Sequence, residues 1–97
     1  MKTCNSLKEI RDEIDILDDK LVELISKRSH LIRQVAKFKN RVDKVKAEDR
    51  IEFIMQRIRG RAIALGINPN MISELFTIMI NEMVETEISE LRNASNF

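Results

Sequence analysis

Four charged residues stand in or beside apolar stripes of helical spacing, and their types suit the binding of a small anion. Arg28 falls on a heptad seam whose other nine positions are apolar. An unpaired guanidinium is very costly to bury, so Arg28 has to find an anion or extend its head to water. A salt bridge to an acid of a neighbouring helix, a register-setting polar contact and a ligand site all meet that demand. Lys39 follows eleven residues later on nearly the same face, with the two backbones about 16 Å apart. Side chains of that length can converge on one small molecule, although a solvated lysine favoured by the helix macrodipole is the plainer reading. Arg11 lies beside the seam near its other end, about 25 Å from Arg28 along the axis and too far to share a ligand within one chain. An antiparallel partner helix brings its own Arg11 alongside Arg28. The seam therefore predicts two symmetric basic pockets, each built from both chains.

Glu87 is the fourth. Ile80, Val84, Glu87 and Leu91 form an i, i+4, i+7, i+11 stripe, which aims a carboxyl group at the core. Burial favours its neutral, hydrogen-bond-donating form, whereas a buried arginine beside it would hold it ionised. Other chemistry is thin. His30 is the only histidine and stands one residue off the seam, as an exposed residue does. Cys4 is alone, so neither an intramolecular disulfide nor a cysteine metal cage is expected. Gly60 and Gly66 are the only glycines, which leaves no nucleophile elbow or phosphate-binding loop. The methionines of the last third fit core filling better than a cofactor box. An enzyme built from these residues needs neither nucleophile, metal nor cofactor.

The elements that position these groups are helices. The seam runs through Leu7, Ile14, Leu21, Arg28 and Val35 in one row, and Ile10, Leu17, Leu24, Leu31 and Phe38 in the other. Ten positions over more than four heptads predict one long helix packed against another helix along its length. Ser6 with Glu9 reads as a capping box, and no Gly or Pro interrupts the chain from there to Lys39. Such a helix is about 50 Å long, longer than the roughly 30–35 Å of a compact monomer this size, so a partner chain is expected. Asn40 to Lys46 loses the period and reads as a loop. A second helix is expected from about Ala47 to Leu65, with Ile51, Ile54, Met55, Ile58, Ala62 and Leu65 on one face and Gly66 as its C′ residue. Asn68-Pro69 then caps and starts a third helix. It carries Ile72, Leu75, Phe76, Met79, Ile80, Met83, Val84, Ile88 and Leu91, and is expected to fray from Asn93 to Phe97.

The 97 residues are read as one all-α domain over 1–97. A core this small is marginal, which oligomerisation relieves. Charged residues make up 34% and nearly cancel at +1, a balance that disfavours a nucleic-acid binder. No run is long and apolar enough for a membrane span, and Met1 to Leu7 has no signal-like apolar stretch, so a cytoplasmic location is expected. A non-catalytic helical dimer using Arg41 to Lys46 as a basic contact strip is the rival reading, which ordinary solvation of a loop explains away.

The pattern L-x-x-I-R-x-x-I-D-x-x-D-x-x-L-x-x-L-x-x-x-R from Leu7 to Arg28 resembles the first helix of AroQ-class chorismate mutases. The likeness continues through Val35 to Lys39, to Asp49-Arg50, to Leu75-Phe76 and to I-x-x-x-V-x-x-E at Ile80 to Glu87. It implies an intertwined antiparallel homodimer of three-helix chains, one helix long and two shorter, acting on a small dicarboxylate without a cofactor. It implies that Arg28 and the partner chain's Arg11 clamp carboxylates, that Lys39 contacts a carboxylate and the ether oxygen, and that a protonated Glu87 donates to that oxygen. Arg50 would lie near the pocket mouth, with Val35, Ala47, Ile51 and Met83 also against the substrate. One departure stands out. Where the family usually places two carboxylates four residues apart near the ring hydroxyl, an alignment anchored on Arg50 and Arg57 gives this chain Ala47 and Ile51. A one-residue shift would instead offer Glu48 and Glu52, but Ile51 belongs to the inward apolar face with Ile54, Met55 and Ile58, which favours the first. The Ala47–Ile51 pair, Phe38-Lys39 and the spacing to Arg50 look more like isochorismate pyruvate lyases, which release pyruvate from isochorismate and retain weak mutase activity. Glu87 stands where that branch has Gln.

Overall fold

The computed structural model describes residues 3–38 and 43–95, and every regular element in them is helical. Helix α1 spans Leu7–Val35, a short 3-10 turn follows at Ala36–Phe38, and α2 (Asp43–Leu65) and α3 (Pro69–Ser95) complete the order. The all-α expectation holds.

Local signals account for most of the boundaries. Glu9 N donates to Ser6 Oγ at 3.1 Å and Ile10 N to the Ser6 carbonyl at 3.1 Å, which starts α1 at the anticipated cap. The Glu9 carboxylate accepts from Asn5 N at 2.8 Å, so a further backbone donor ahead of the helix is satisfied. Exposed i, i+4 ion pairs follow along α1, Lys8–Asp12 at 2.9 Å and Glu23–Lys27 at 3.1 Å, each contributing about 0.3–0.5 kcal/mol. At the end of α2, Gly66 N donates to the Ile63 carbonyl at 3.1 Å and Ile67 N to the Ala62 carbonyl at 2.9 Å. These two bonds form a Schellman motif around Gly66 at φ +75°. Asn68 Oδ1 then accepts from Asn70 N at 2.9 Å, and Pro69 takes the first helical position, where its missing N–H costs nothing.

The two glycines consequently respond to a methyl group with opposite signs. A Cβ at either meets nothing within 4 Å, so backbone conformation alone decides. Gly66→Ala has to hold a left-handed residue and is expected to lose about 1–2 kcal/mol. Gly60→Ala lies within α2 and is expected to gain about 0.5–1 kcal/mol. Urea titration of the two variants checks the pair, and a stabilised Gly66→Ala would contradict the cap.

Several boundaries and faces differ from expectation. The long helix ends as α at Val35 and tightens to a 3-10 turn, a common way for a helix to finish; at about 1.5 Å per residue α1 is therefore nearer 43 Å than 50 Å. Lys39 and Asn40 to Val42 lie outside the described residues. Asp43 to Lys46 is helix rather than loop, because a segment without Gly or Pro offers nothing to stop α2 from extending backwards. For the same reason α3 continues through Asn93 to Ser95 instead of fraying, with Asn96 and Phe97 outside the described residues.

By packing, the chain divides into two compact units, Met1–Leu31 and Ile32–Phe97. In the second, α3 folds back along α2, and the 3-10 turn also packs against α3. The buried apolar residues are Ala62, Ile80 and Met83, flanked by half-buried Ile51, Ile54, Met55, Ile58, Phe76 and Met79. Leu65 is exposed, contrary to its place on the inward face: it sits in the last turn, where the chain is already reversing. Leu75, Val84 and Ile88 are exposed too. The apolar positions of α3 cover more of its circumference than a single neighbouring helix can mask. In the first unit no residue of α1 is buried, and the seam leucines lie open, Leu24 at 62%.

Candidate active site

The residues singled out by sequence fall into both units. On α1, Arg11 is exposed and Arg28 half-buried. Arg28 is among the residues engaged by a neighbouring group. A straight helix separates the two guanidinium-bearing backbones by about 25 Å, so one α1 cannot offer both to a single small anion.

Within the second unit the chain brings together two short constellations. Met83 and Glu87 occupy successive turns of α3 and are both buried, each at 8% exposure. Glu87 is the only buried charged residue among those described, and it is engaged by a neighbouring group. No buried side-chain nitrogen or oxygen among the described residues lacks a hydrogen-bond partner. A carboxyl group in that setting is held in orientation, as a proton donor and a structural ion-pair member both are. Ala47 and Ile51, one turn apart on α2, are both half-buried. They lie towards the end of the α2–α3 hairpin remote from its turn, as Glu87 does. An apolar pair at this level offers a ring or methylene surface and no partner for a hydroxyl group.

Arg50 is exposed, with its guanidinium carbon 5.2 Å from the centroid of the Phe53 ring. That cation–π contact, worth about 0.5–1 kcal/mol at an exposed site, steadies the exposed side chain. Val35 is the last residue of α1 and is exposed. Lys39 lies outside the described residues, just past the 3-10 turn that packs on α3. His30 is exposed. Among the described residues no three His, Cys, Asp or Glu side chains are grouped to hold a metal ion, and no helix is long and apolar enough to cross a membrane.

One organising residue escaped the sequence reading. Arg59 Nη1 donates to the Pro69 carbonyl at 3.2 Å, to Asn70 Oδ1 at 3.1 Å and to Ser73 Oγ at 2.7 Å. It clamps the first turn of α3 to α2, and so fixes the start of the helix that carries Glu87. The signal was its spacing: Met55, Arg59 and Ala62 stand at i, i+4 and i+7, which places a cation at the border of the inward face.

With this geometry in view, residues 10–88 match the family model of chorismate mutase type II. The chain is 30% identical to a chorismate mutase of Methanocaldococcus jannaschii, over 93% of this chain and 92% of that protein. It is 32% identical to the T-protein of Haemophilus influenzae over 90% of this chain, but spans only 23% of that relative. It is also 27% identical to a bifunctional chorismate mutase/prephenate dehydratase of Buchnera aphidicola, covering 99% of this chain and a quarter (25%) of that one.

Proposed function

Since the chain belongs to the chorismate mutase type II family, we propose that it rearranges chorismate to prephenate in pockets that two antiparallel copies build together. The observation that carries this reading is the family match over residues 10–88, a stretch that includes Arg11, Arg28, Lys39, Arg50 and Glu87. The exposed seam of α1 supports the assembly, because apolar residues at heptad spacing demand a neighbouring helix. On this reading the 97 residues act as a single domain, completed by the second copy.

The reaction is unimolecular: one carbon–oxygen bond breaks as one carbon–carbon bond forms. No proton has to be removed and no covalent intermediate made, so orientation and charge stabilisation are the protein's tasks. Arg28 and the partner's Arg11 hold the two carboxylates in a reactive conformer. Lys39 and Glu87 donate to the ether oxygen as negative charge develops on it, and Arg50 guards the entrance. Val35, Met83, Ala47 and Ile51 supply the apolar wall against the ring.

Glu87→Gln keeps a hydrogen-bond donor of similar size at this position and is expected to keep turnover within about tenfold of the parent, whereas Glu87→Ala removes the group and is expected to cost about 10²–10³. The measurement is turnover of chorismate by the parent and both variants. A folded Glu87→Ala variant with full turnover would assign Glu87 to a structural contact instead.

The half-buried Ala47–Ile51 pair favours a second reading, in which the chain eliminates pyruvate from isochorismate. Parallel assays of the purified protein on chorismate and isochorismate separate the two. Prephenate as the faster product supports the mutase; salicylate plus pyruvate as the faster outcome overturns it in favour of the lyase. Turnover of neither would return the chain to a non-catalytic binding role.

A further inference from the structure

We propose that the cleft between the end of α1 and α3 binds the zwitterionic head group of a free α-amino acid, with Arg33 taking its carboxylate, Glu82 and Glu85 its ammonium, and Thr86 and Ser89 the remaining hydrogen bonds. It uses none of the residues assigned to the active site, so it stands whichever reaction that site performs.

The cleft has a volume of about 380 Å³ and is lined by Arg33, Glu82, Glu85, Thr86 and Ser89. Pockets that hold small molecules run from about 300 to 1,000 Å³, so it has room for a small metabolite rather than a lone ion. All five residues belong to one compact unit, Ile32–Phe97. The four on α3 stand at i, i+3, i+4 and i+7, which is one stripe of a helix. Arg33 meets that stripe from the last turn of α1.

The charges select the ligand. From Pro69 to Leu91 the chain carries Glu74, Glu82, Glu85, Glu87 and Glu90 and no cation. Arg33 therefore brings to the cleft a positive charge that α3 cannot supply, one guanidinium against two carboxylates. A simple carboxylic acid would pair with Arg33 but face repulsion from both glutamates, and a simple amine would meet the reverse conflict. A molecule with both groups on one carbon satisfies both walls. Hydrogen bonding points the same way. Elsewhere exposed polar groups find local partners, as in Lys8–Asp12 and Glu23–Lys27 and in Thr77 Oγ1, which donates to the Ser73 carbonyl at 2.8 Å. Among the described residues, no ion pair or hydrogen bond engages the five cleft side chains. Thr86 is half-buried and the other four are exposed, so water screens the charges and binding is modest.

The test is titration of the isotope-labelled protein, followed by backbone amide shifts. L-leucine is the probe, because isocaproate is the same molecule without the ammonium and isoamylamine the same without the carboxylate. Leucine is expected to shift the amides around Arg33 and from Glu82 to Ser89, saturating with a Kd of about 1 mM. Each truncated analogue is expected to bind about tenfold more weakly, having lost one charge-assisted contact. Arg33→Gln should weaken leucine about tenfold and leave isoamylamine unaffected, whereas Glu82→Gln/Glu85→Gln should weaken leucine and leave isocaproate no weaker. Lys39→Ala should hold leucine within about twofold of the parent, since the sites are separate. Leucine and either analogue binding alike would overturn the zwitterion site. Shifts centred on Arg28 and Glu87 and abolished by Lys39→Ala would move the ligand to the active site and overturn it too. No saturable shift far above the expected Kd would leave the cleft as solvated surface charge.

Discussion

Chains carrying Arg11→Ala or Arg28→Ala alone are expected to be nearly inactive, and the two refolded together to regain activity. On the proposed shared-pocket reading each substitution removes a cation aimed at a substrate carboxylate, an expected loss of about 10²–10³ in rate for a preorganised charged donor. In a homodimer of either variant both pockets lack one arginine. In a mixed dimer one pocket combines the intact Arg28 of one chain with the intact Arg11 of the other, while the second pocket lacks both. Random pairing makes half the dimers mixed, so about one quarter of the parent's sites should return. The check is turnover of chorismate by the separate variants and by the mixture, with mixed dimers counted by mass. Mixed dimers that form and stay inactive would put both arginines in one chain's pocket, which the length of α1 forbids for a single straight helix.

Lys39→Ala is expected to cost about 10²–10³ in turnover, because on the proposed reading it removes a cationic donor from an oxygen that gains negative charge only as the bond breaks. The loss should appear in kcat more than in KM, since the interaction strengthens in the transition state. Lys39→Arg keeps the charge but replaces a compact ammonium with a planar fork, and should restore only part of the rate. Helix content by circular dichroism should match the parent for both. An alanine variant with full turnover would remove Lys39 from the reaction and leave Glu87 as the sole donor to the ether oxygen.

The two outcomes depend on different parts of the molecule. Arginine complementation tests the assembly, whereas Lys39 and Glu87 test the chemistry inside a pocket once assembled. A dimer that complements but is indifferent to Lys39 would keep the architecture and change the mechanism.

What could be read from the residue order alone was whatever acts over a few positions. The caps at Ser6, Gly66 and Asn68-Pro69 appeared where anticipated, because each motif closes hydrogen bonds within one turn of itself. The inward aim of Glu87 was legible for the same reason: its stripe repeats at helical spacing with Ile80. Helix ends without a Gly or Pro were less legible. Asp43 to Lys46 and Asn93 to Ser95 joined helices because propensity there is nearly neutral, so the neighbouring turns decide.

Only the tertiary structure decided which apolar residues are covered. The periodicity treated Leu65, Leu75, Val84 and Ile88 as equivalent to Ala62, Ile80 and Met83, yet the first four are exposed and the last three buried. A helical stripe states that a neighbour is needed; the neighbour's position then selects which part of the stripe is buried. The Arg59 clamp onto Pro69, Asn70 and Ser73 is likewise tertiary, since its partners lie across a turn and become neighbours only when α3 folds back on α2. Spacing along a helix specifies what side chains share a face. Burial and long-range hydrogen bonds arise between faces, and those depend on how separate helices come to lie together.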